Sequence, residues 1–367
     1  DLTGPSPEGV GLRQGVIRGG RRESTARAYL RPALMRGNVD LRTHARVLRL
    51  LIEGGRVVGV VVSRDGVVSD LRAHREVLLC AGAVQSPQVL LLSGIGPAAE
   101  LAALGITPVL DRPSVGANLH DHLACPILMQ TDDPTSYGLS LRALPRGAMH
   151  LLQYLVSRSG PLAGNVFESV AFLRTAPDLE RPDVQFVFQP AARPRPGFPL
   201  PIGHGFAISP VHLYPHSRGR LTLAGPDAFA APLIDPGLLS DERDIEPMMR
   251  ALRLTRRFFA AESFRPYRAT EVAPGPKAAD DAGLLEHLKN FAYTVHHQVG
   301  TCRMGSDSAA VVDPDLRVRG MEGLRVIDAS VMPSIVGGNT NAVVVMIAER
   351  AADLIRGRAL LDPVALS

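Results

Sequence analysis

The chain has 367 residues, of which 46% are hydrophobic and 21% charged, and its formal net charge is +4. This length allows two or three domains of ordinary size, and the composition excludes intrinsic disorder as a description of the whole chain. No apolar run approaches the ~20 residues that span a bilayer. The sequence therefore predicts a soluble protein with no transmembrane segment.

Positive charge is concentrated near the start, where residues 1–60 contain eleven arginines and five acidic residues. Such a bias can indicate nucleic-acid binding. However, the chain as a whole has 38 arginines and only two lysines, Lys277 and Lys289, which is typical of a bias in genomic base composition. No aromatic residues alternate with the early arginines to form a stacking platform. We therefore expect no nucleic-acid partner.

The three cysteines, Cys80, Cys125 and Cys302, are too few and too scattered for a disulfide framework or a cysteine-based zinc site. This favours a reducing compartment, and a cytoplasmic location is the expectation. The chain opens at Asp1 without Met and without a signal peptide. We expect it to be a fragment of a longer protein.

Local patterns in the first third predict a short helix followed by a β meander. Gly-Gly and Asp-Gly pairs separate alternating β-branched runs, and such pairs favour hairpins because their residues accept positive φ. After a buried apolar strand, Ser86-Pro87 resembles a helix cap followed by a first-turn proline. The predicted elements are a helix at 25–37, strands at 46–52, 56–63, 67–73 and 76–80, and a helix at 88–92.

The composition changes after residue 122, where proline-rich loops alternate with strand-like runs. Runs of strands with segregated helices favour an α+β domain on a mostly antiparallel sheet over 125–290. The final part returns to loops, one strand and an amphipathic helix. The predicted elements are strands at 184–189, 206–213, 220–223 and 324–327, and helices at 146–158, 245–259 and 342–355.

A possible dinucleotide fingerprint lies at Gly94–Ala99, which satisfies G-x-G-x-x-A and has Asp111 downstream. It would support an NAD-linked Rossmann enzyme. The surrounding sequence does not supply a βαβ unit of sufficient length. A helix that ends at Gly94, followed by a new helix opened by Pro97, is the favoured interpretation.

Two other patterns could carry chemistry. His120 and His122 could bind a metal, but no third ligand is clustered nearby, and a structural or hydrogen-bonding role is favoured. Cys302 is a single thiol in a glycine-rich loop, with His296 and His297 close in sequence. A packed thiol is favoured over a nucleophile there. We expect no metal site.

Several longer segments, taken together and in order, are far more specific. The sequence over these segments resembles the glucose–methanol–choline (GMC) oxidoreductases, which are FAD-dependent alcohol oxidases and dehydrogenases, and the choline-dehydrogenase-like bacterial members most of all. The likeness covers nearly the whole chain. The segments are Arg21–Arg31, Cys80–Pro97 (CAGAVQSPQVLLLSGIGP), Val115–His122 (VGANLHDH), Ser217–Leu223, Thr294–Gly305 (TVHHQVGTCRMG), Gly323–Pro333 and Gly337–Asn341.

The resemblance implies a fold of the α/β plus α+β class. We expect a discontinuous, incomplete FAD-binding Rossmann-like domain with an inserted substrate domain on a mostly antiparallel sheet. Residues 1–124 and 291–367 would form the FAD-binding domain, and 125–290 the substrate-binding domain. The family's glycine-rich βαβ unit for the ADP part of FAD is not present in this sequence, so the chain as given is expected to bind FAD weakly or not at all.

The resemblance also implies roles for particular residues. By position in the family motifs, His297 is the catalytic base, which suits a neutral histidine near neutral pH, and Asn341 is the second active-site residue. His296 could compete for the base role. The cofactor would be contacted by Val47, Ala81, Gly82, Asp328, Ala329, Asn339 and Thr340, and the substrate by Asn165, Glu168 and His296.

The implied function is oxidation of an alcohol CH–OH group by hydride transfer to flavin N5. The expected partners are a small-molecule alcohol, choline-like or another primary alcohol, and an electron acceptor that is a quinone, another carrier or O₂. A dehydrogenase is favoured over an oxidase. The alternatives are a non-catalytic remnant that cannot hold FAD and, less favoured, an NAD-linked Rossmann enzyme.

Overall fold

Residues 2, 4, 6–165, 167–193 and 202–359 are described by the computed structural model. The chain divides into two units that are each formed from discontinuous segments. Unit 1 comprises Asp1–Leu41, Leu123–Leu213 and Arg243–Val295, and unit 2 comprises Arg42–His122, Tyr214–Glu242 and His296–Ser367. The family-based division at 124 and 290 stays a prediction.

Most helices lie where the sequence patterns predict them, and the helix at 245–259 has the predicted bounds, whereas the helix at 281–291 was not predicted. A short π-helical segment precedes α1, and short 3-10 segments occur in several loops. The helices are α1 (Arg31–Leu34), α2 (Gly82–Leu92), α3 (Ala98–Ala103), α4 (Leu144–Ser157), α5 (Ile245–Phe259), α6 (Asp281–Phe291) and α7 (Asn341–Ile355). Among the described residues, no helix combines the length and apolar character that crossing a bilayer requires.

The strands fall into one large sheet and several small ones. In chain order they are β1 (Gly9–Leu12), β2 (Ile17–Arg18), β3 (Arg21–Arg22), β4 (Ala45–Glu53), β5 (Arg56–Arg64), β6 (Val67–Arg72), β7 (Val77–Leu79), β8 (Ile95–Gly96), β9 (Leu110–Asp111), β10 (Leu123–Ala124), β11 (Ile127–Thr131), β12 (Ser169–Leu173), β13 (Val184–Gln189), β14 (His204–His212), β15 (Arg220–Thr222), β16 (Leu233–Asp235), β17 (Thr270–Ala273), β18 (Tyr293–Thr294) and β19 (Leu324–Val326).

Unit 1 is built on an antiparallel sheet, as the sequence predicts. Its strand order is β1-β12-β13-β14-β10-β18, with β11 paired to β14 and β17. Aromatic side chains fill the space between one face of this sheet and the helices: Phe186 meets Phe258 edge to face, and Phe206 packs against Phe259 and Phe264. Buried aromatic area of this kind is the main source of stability of such a layer.

Unit 2 contains the predicted meander β4-β5-β6, whose turns lie at Gly54-Gly55 and Asp65-Gly66. It also contains a parallel pair, in which Val77 of β7 is opposite Leu324 of β19. This pairing places residues 77–79 beside residues 324–326. The apolar core of this unit runs from α2 to β19 and α7.

The start of α2 differs from the prediction. The helix begins at Gly82, so Pro87 lies inside it and not in its first turn. A proline at this position removes the hydrogen bond to the carbonyl four residues earlier, and here the Thr301 hydroxyl donates to that Ala83 carbonyl at 2.6 Å. The break at Gly94 and the new helix after Pro97 are confirmed.

Candidate functional site

Three loop segments of unit 2 come together around His297. They are residues 118–122, 296–301 and 336–341. The first two are joined by a two-way backbone pair in which His120 and Val299 each donate to the other's carbonyl at 3.0 Å. This pairing holds the His-Asp-His triplet of the first segment against the His-Gln-Val-Gly sequence of the second.

The second segment requires a glycine at position 300. Its φ is +93°, and a Cβ there would overlap the carbonyl oxygen of Asn118. Because the two backbones approach each other closely here, the Asn118 side-chain amide can donate to the Gly300 carbonyl at 3.3 Å. A larger residue would be strained both by the backbone conformation and by this close approach, so the glycine fixes the position of the loop that carries His297.

Both the backbone and the ring of the half-buried His297 are held by neighbouring groups. Its backbone N–H donates to the buried Asp121 carboxylate at 2.9 Å. Its ring Nδ1 lies 2.9 Å from Nδ1 of His122, and its Nε2 lies 3.0 Å from the side-chain amide of Asn339. The two imidazole rings meet edge to face, with centroids 5.1 Å apart. This fixed imidazole with an accessible amide beside it can exchange a proton with a bound hydroxyl group.

The second residue that the structure brings to His297 is Asn339. Sequence reasoning assigned Asn339 to the cofactor and Asn341 to the active site. Asn341 is the first residue of α7 and is exposed. Thr340 is buried and caps the start of that helix, without a side-chain cap hydrogen bond.

His122 and Asp121 contact His297, although sequence reasoning did not assign them to the site. For the His120-x-His122 pattern, the sequence favours a structural or hydrogen-bonding role over a metal pair. Among the described residues, no group of three or more His, Cys, Asp or Glu side chains is arranged to hold a metal ion. The hydrogen-bonding role favoured for His122 is confirmed by its contacts with His297 and with the carbonyl of Val336. His122 and Asp121 both lie in the VGANLHDH segment, one of the segments that resemble the GMC family, so this segment could have indicated them.

His120 is buried and its ring is kept neutral. Nδ1 bonds to the carbonyl of Asn118 at 2.7 Å, whereas Nε2 has no hydrogen-bond partner among the described residues. Burial, together with the positive charge of Arg218, lowers the pKa of His120 to about 4. Protonation would place an unpaired charge in the interior.

His120 is therefore expected to make unit 2 sensitive to acid. The pKa of His120 is lower in the folded chain than in the unfolded one, so on acidification the unfolded chain takes up the proton first. The free energy of unfolding is therefore unaffected by His120 above pH ~6.5 and falls as the pH is lowered toward 4. Between pH 7 and pH 5 we expect a loss of about 2 kcal/mol in the free energy of unfolding. Urea unfolding of the wild type and of a His120→Phe variant at both pH values measures this. An equal loss in the two proteins would contradict the assignment.

Two predicted cofactor residues, Val47 and Ala81, line one cavity of unit 2. Its volume is about 310 Å³, and its walls come from β4, β7 and α2. The walls are largely apolar, and Arg46 at this cavity lies over the ring of Phe229 with 5.5 Å to its centroid. Such a slot between a strand and a helix accepts a flat aromatic ring. The residues present thus fit the adenine part of FAD, as the resemblance implies.

Gly82 and Asp328 meet at the N-terminus of α2. Gly82 has φ +84°, and a Cβ there would meet no atom within 4 Å. The Asp328 carboxylate accepts from the Gly82 N–H at 2.9 Å and from the Ser86 hydroxyl at 2.5 Å. Its other oxygen accepts from the N–H of Ser330 at 2.8 Å. Asp328 thus links α2 to the turn at Ala329–Val331.

The predicted substrate residues Asn165 and Glu168 belong to unit 1. The Tyr137 hydroxyl donates to the Glu168 carboxylate at 2.5 Å, and burial together with this carboxylate raises the pKa of Tyr137 to about 12. Asn165 accepts from the N–H of Phe167 at 2.8 Å. His296, in unit 2, is exposed and has φ +63°. Glu168 is therefore occupied by a protein hydrogen bond.

Cys302 is fully buried in the core of unit 2, as predicted for a packed thiol. Burial raises the pKa of its thiol, and the negative charge of Asp328 adds to the effect. A nucleophilic cysteine requires a lowered pKa and access to its substrate. Both are lacking at Cys302.

Known proteins resemble this chain over nearly its full length. The GMC oxidoreductase family models match residues 1–124 and 215–348. An "Alcohol dehydrogenase [acceptor]" of Pseudomonas putida is 41% identical over 97% of the chain, and an "Oxygen-dependent choline dehydrogenase" of Rhizobium johnstonii is 40% identical over 98%. The chain spans 65% of the length of each of these two relatives.

Solved structures give the same assignment. Pyridoxine 4-oxidase from "Mesorbium loti" superposes with a TM-score of 0.81 at 31% identity, covering 96% of this chain and 66% of that one. The formate oxidase of Aspergillus oryzae, described in a study of FAD modification, gives 0.85 at 27% identity, covering 93% and 64%. The fold class and the family resemblance predicted from the motifs are confirmed. The chain belongs to the GMC oxidoreductase family, whose cofactor is FAD.

Proposed function

We propose that this chain is part of an FAD-dependent enzyme that oxidises the CH–OH group of a small-molecule alcohol, with His297 as the base. The observation that supports this most directly is the set of contacts around His297. One ring nitrogen contacts a buried histidine, the other contacts an amide, and the backbone is tied to a buried carboxylate. A general base needs such fixed geometry as well as a pKa near the working pH.

FAD supplies the hydride acceptor when it is bound, at N5 of the flavin. Val47 and Ala81 would hold its adenine part in the 310 Å³ cavity. Gly82 and Ala329, at the two turns joined by Asp328, would lie along its diphosphate. The N-terminus of α7, which follows Thr340, would place free backbone N–H groups near negative charge on the ring.

The protein's own part of the reaction is to remove and hold one proton. His297 Nε2 would accept the proton of the substrate hydroxyl, and Asn339 would donate its amide N–H to the same oxygen. In the structure these two groups already lie 3.0 Å apart. An oxygen held between an N–H donor and a basic nitrogen is oriented for proton loss.

Replacing each of the two asparagines by alanine tests which one takes part in the reaction. We expect Asn339→Ala to lower kcat by about 10²-fold, the usual effect of removing one donor to a developing oxyanion. The matched Asn341→Ala variant should change kcat far less, because Asn339 and not Asn341 makes the described hydrogen bond with His297. Steady-state kinetics with saturating alcohol measures both. A larger loss in Asn341→Ala would return the role to the residue that the motif suggested.

The reaction itself is tested by mixing the FAD-loaded protein with alcohols in the absence of oxygen. FAD content is measured first, on the 367-residue chain and on any longer protein that contains it. Choline and uncharged primary alcohols form the substrate panel, and bleaching of the flavin absorbance is the expected result. Adding O₂ or a quinone to the reduced protein then distinguishes an oxidase from the favoured dehydrogenase. A protein that binds no FAD would favour the non-catalytic alternative, and one that binds FAD but is reduced by none of these alcohols would contradict the proposed reaction.

A further inference from the structure

His122 contacts the proposed base directly and is almost completely buried, with 1% of its surface exposed. Its Nε2 lies 3.0 Å from the carbonyl oxygen of Val336, and its Nδ1 lies 2.9 Å from Nδ1 of His297. The interplanar angle of the two rings is 84°. Each ring nitrogen of His122 thus faces a hydrogen-bond partner, and the donor and acceptor of each bond can be assigned.

The carbonyl of Val336 can only accept, so Nε2 of His122 must carry a hydrogen. In a neutral ring the other nitrogen, Nδ1, is then an acceptor. Nδ1 of His297, which faces it, must be the donor. The remaining nitrogen of a neutral His297 is Nε2, which has a lone pair and accepts from the Asn339 amide at 3.0 Å. The carbonyl of Val336 thus sets which ring nitrogens of His122 and His297 carry a hydrogen.

We propose that His122 is a positioning residue that fixes His297 in the Nδ1–H tautomer and so presents an unprotonated Nε2 to the substrate side. This inference rests on the proposed function, because the tautomer matters for catalysis only if His297 is the base. A residue bonded to the second nitrogen of a working histidine commonly sets its tautomer and ring orientation. The chain supplies this partner from a segment 175 residues away.

The backbone tie of His297 to Asp121 does not set the tautomer. That bond uses the main-chain N–H, so it fixes the loop and leaves the ring nitrogens undetermined. The Asn339 amide could present either its oxygen or its nitrogen to Nε2, so it adapts to whichever tautomer is present. The contact with His122 differs from these two, because the bond of His122 to the carbonyl of Val336 fixes its polarity.

The test compares three substitutions of His122 by ¹⁵N NMR of histidine-labelled protein, with and without FAD. His122→Asn keeps an acceptor oxygen near the position of Nδ1, and His122→Gln keeps a donor near the position of Nε2 without an acceptor toward His297. His122→Phe keeps only the ring shape. The His297 signal is assigned by its loss in a His297→Ala variant, and the thermal unfolding midpoint of each variant verifies that it is folded.

We expect His297 to be in the Nδ1–H form in the wild type and in His122→Asn, and to shift toward the Nε2–H form in His122→Gln and His122→Phe. In the FAD-loaded protein, kcat should fall by about 10–100-fold in the last two variants, with KM little changed and His122→Asn closer to the wild type. Finding the Nε2–H form in the wild type, or the same tautomer in all folded variants, would overturn the proposal.

The outcomes separate this proposal from the proposed function. If the tautomer follows the substitutions as expected but no alcohol reduces the flavin, the proposed reaction fails and the link between His122 and His297 stands. If alcohols reduce the flavin but the tautomer of His297 is independent of residue 122, the proposed reaction stands and the positioning role of His122 fails.

Discussion

The His297→Ala variant is expected to lower kcat by about 10²–10⁴-fold, the usual contribution of a positioned general base. The substitution removes Nε2, which in the structure lies 3.0 Å from the Asn339 amide. Flavin content should be close to that of the wild type, because other residues line the adenine cavity. Rapid-mixing measurement of flavin reduction by alcohol, together with the flavin-to-protein absorbance ratio, separates the two effects.

His296→Ala is the matched comparison, because His296 precedes the proposed base and is the competing candidate. It is exposed and has a left-handed backbone conformation, with φ +63°. We expect it to retain most of the rate of flavin reduction. A large loss in His296→Ala, with reduction at wild-type speed in His297→Ala, would assign the base to His296.

Much of the secondary structure could be predicted because it is determined locally. The hairpin turns follow from Gly55 and Gly66, both with φ +80°, a conformation that glycine adopts without strain. Helix α5 matches its predicted range because its apolar residues recur at helical spacing and face the sheet. These signals need only neighbouring residues in the chain.

The start of α2 could not be predicted in the same way. The cap that permits a helix to begin at Gly82 comes from Asp328, which is 246 residues away. The proline inside the helix is tolerated because Thr301 occupies the carbonyl it leaves unpaired. Local sequence reasoning therefore interpreted Ser86-Pro87 as the helix start, since neither distant partner is visible in a short window.

In the candidate site, too, some features follow from the local sequence and others only from the fold. The histidine could be found from its motif, whereas the amide beside it could not be chosen between Asn339 and Asn341 without the fold. The two are separated by one residue, and the bend before α7 decides which of them is turned toward His297. The contact between His122 and His297 also required the fold, because it depends on the backbone pairing of His120 with Val299.

Asp328→Ala is expected to cost about 3–5 kcal/mol in the free energy of unfolding, because it leaves several buried or half-buried donors without an acceptor. The carboxylate is 5% exposed and accepts from the backbone N–H groups of Gly82 and Ser330. The hydroxyls of Ser86 and Ser330 donate to it as well, each at 2.5 Å. Hydroxyls can rotate to other partners, but the two N–H groups are fixed by the backbone, so most of the cost comes from them.

Urea unfolding measures this loss as a shift in the midpoint at unchanged slope. Asp328→Asn is the matched control: it keeps the size of the side chain and one acceptor oxygen but replaces the other with a donor. We expect it to lose less stability than Asp328→Ala, because one of the two fixed N–H groups keeps its partner. If Asp328→Ala were as stable as the wild type, the link between α2 and the Ala329–Val331 turn would not depend on this carboxylate. The placement of Gly82 and Ala329 along the FAD diphosphate would then lose its structural basis.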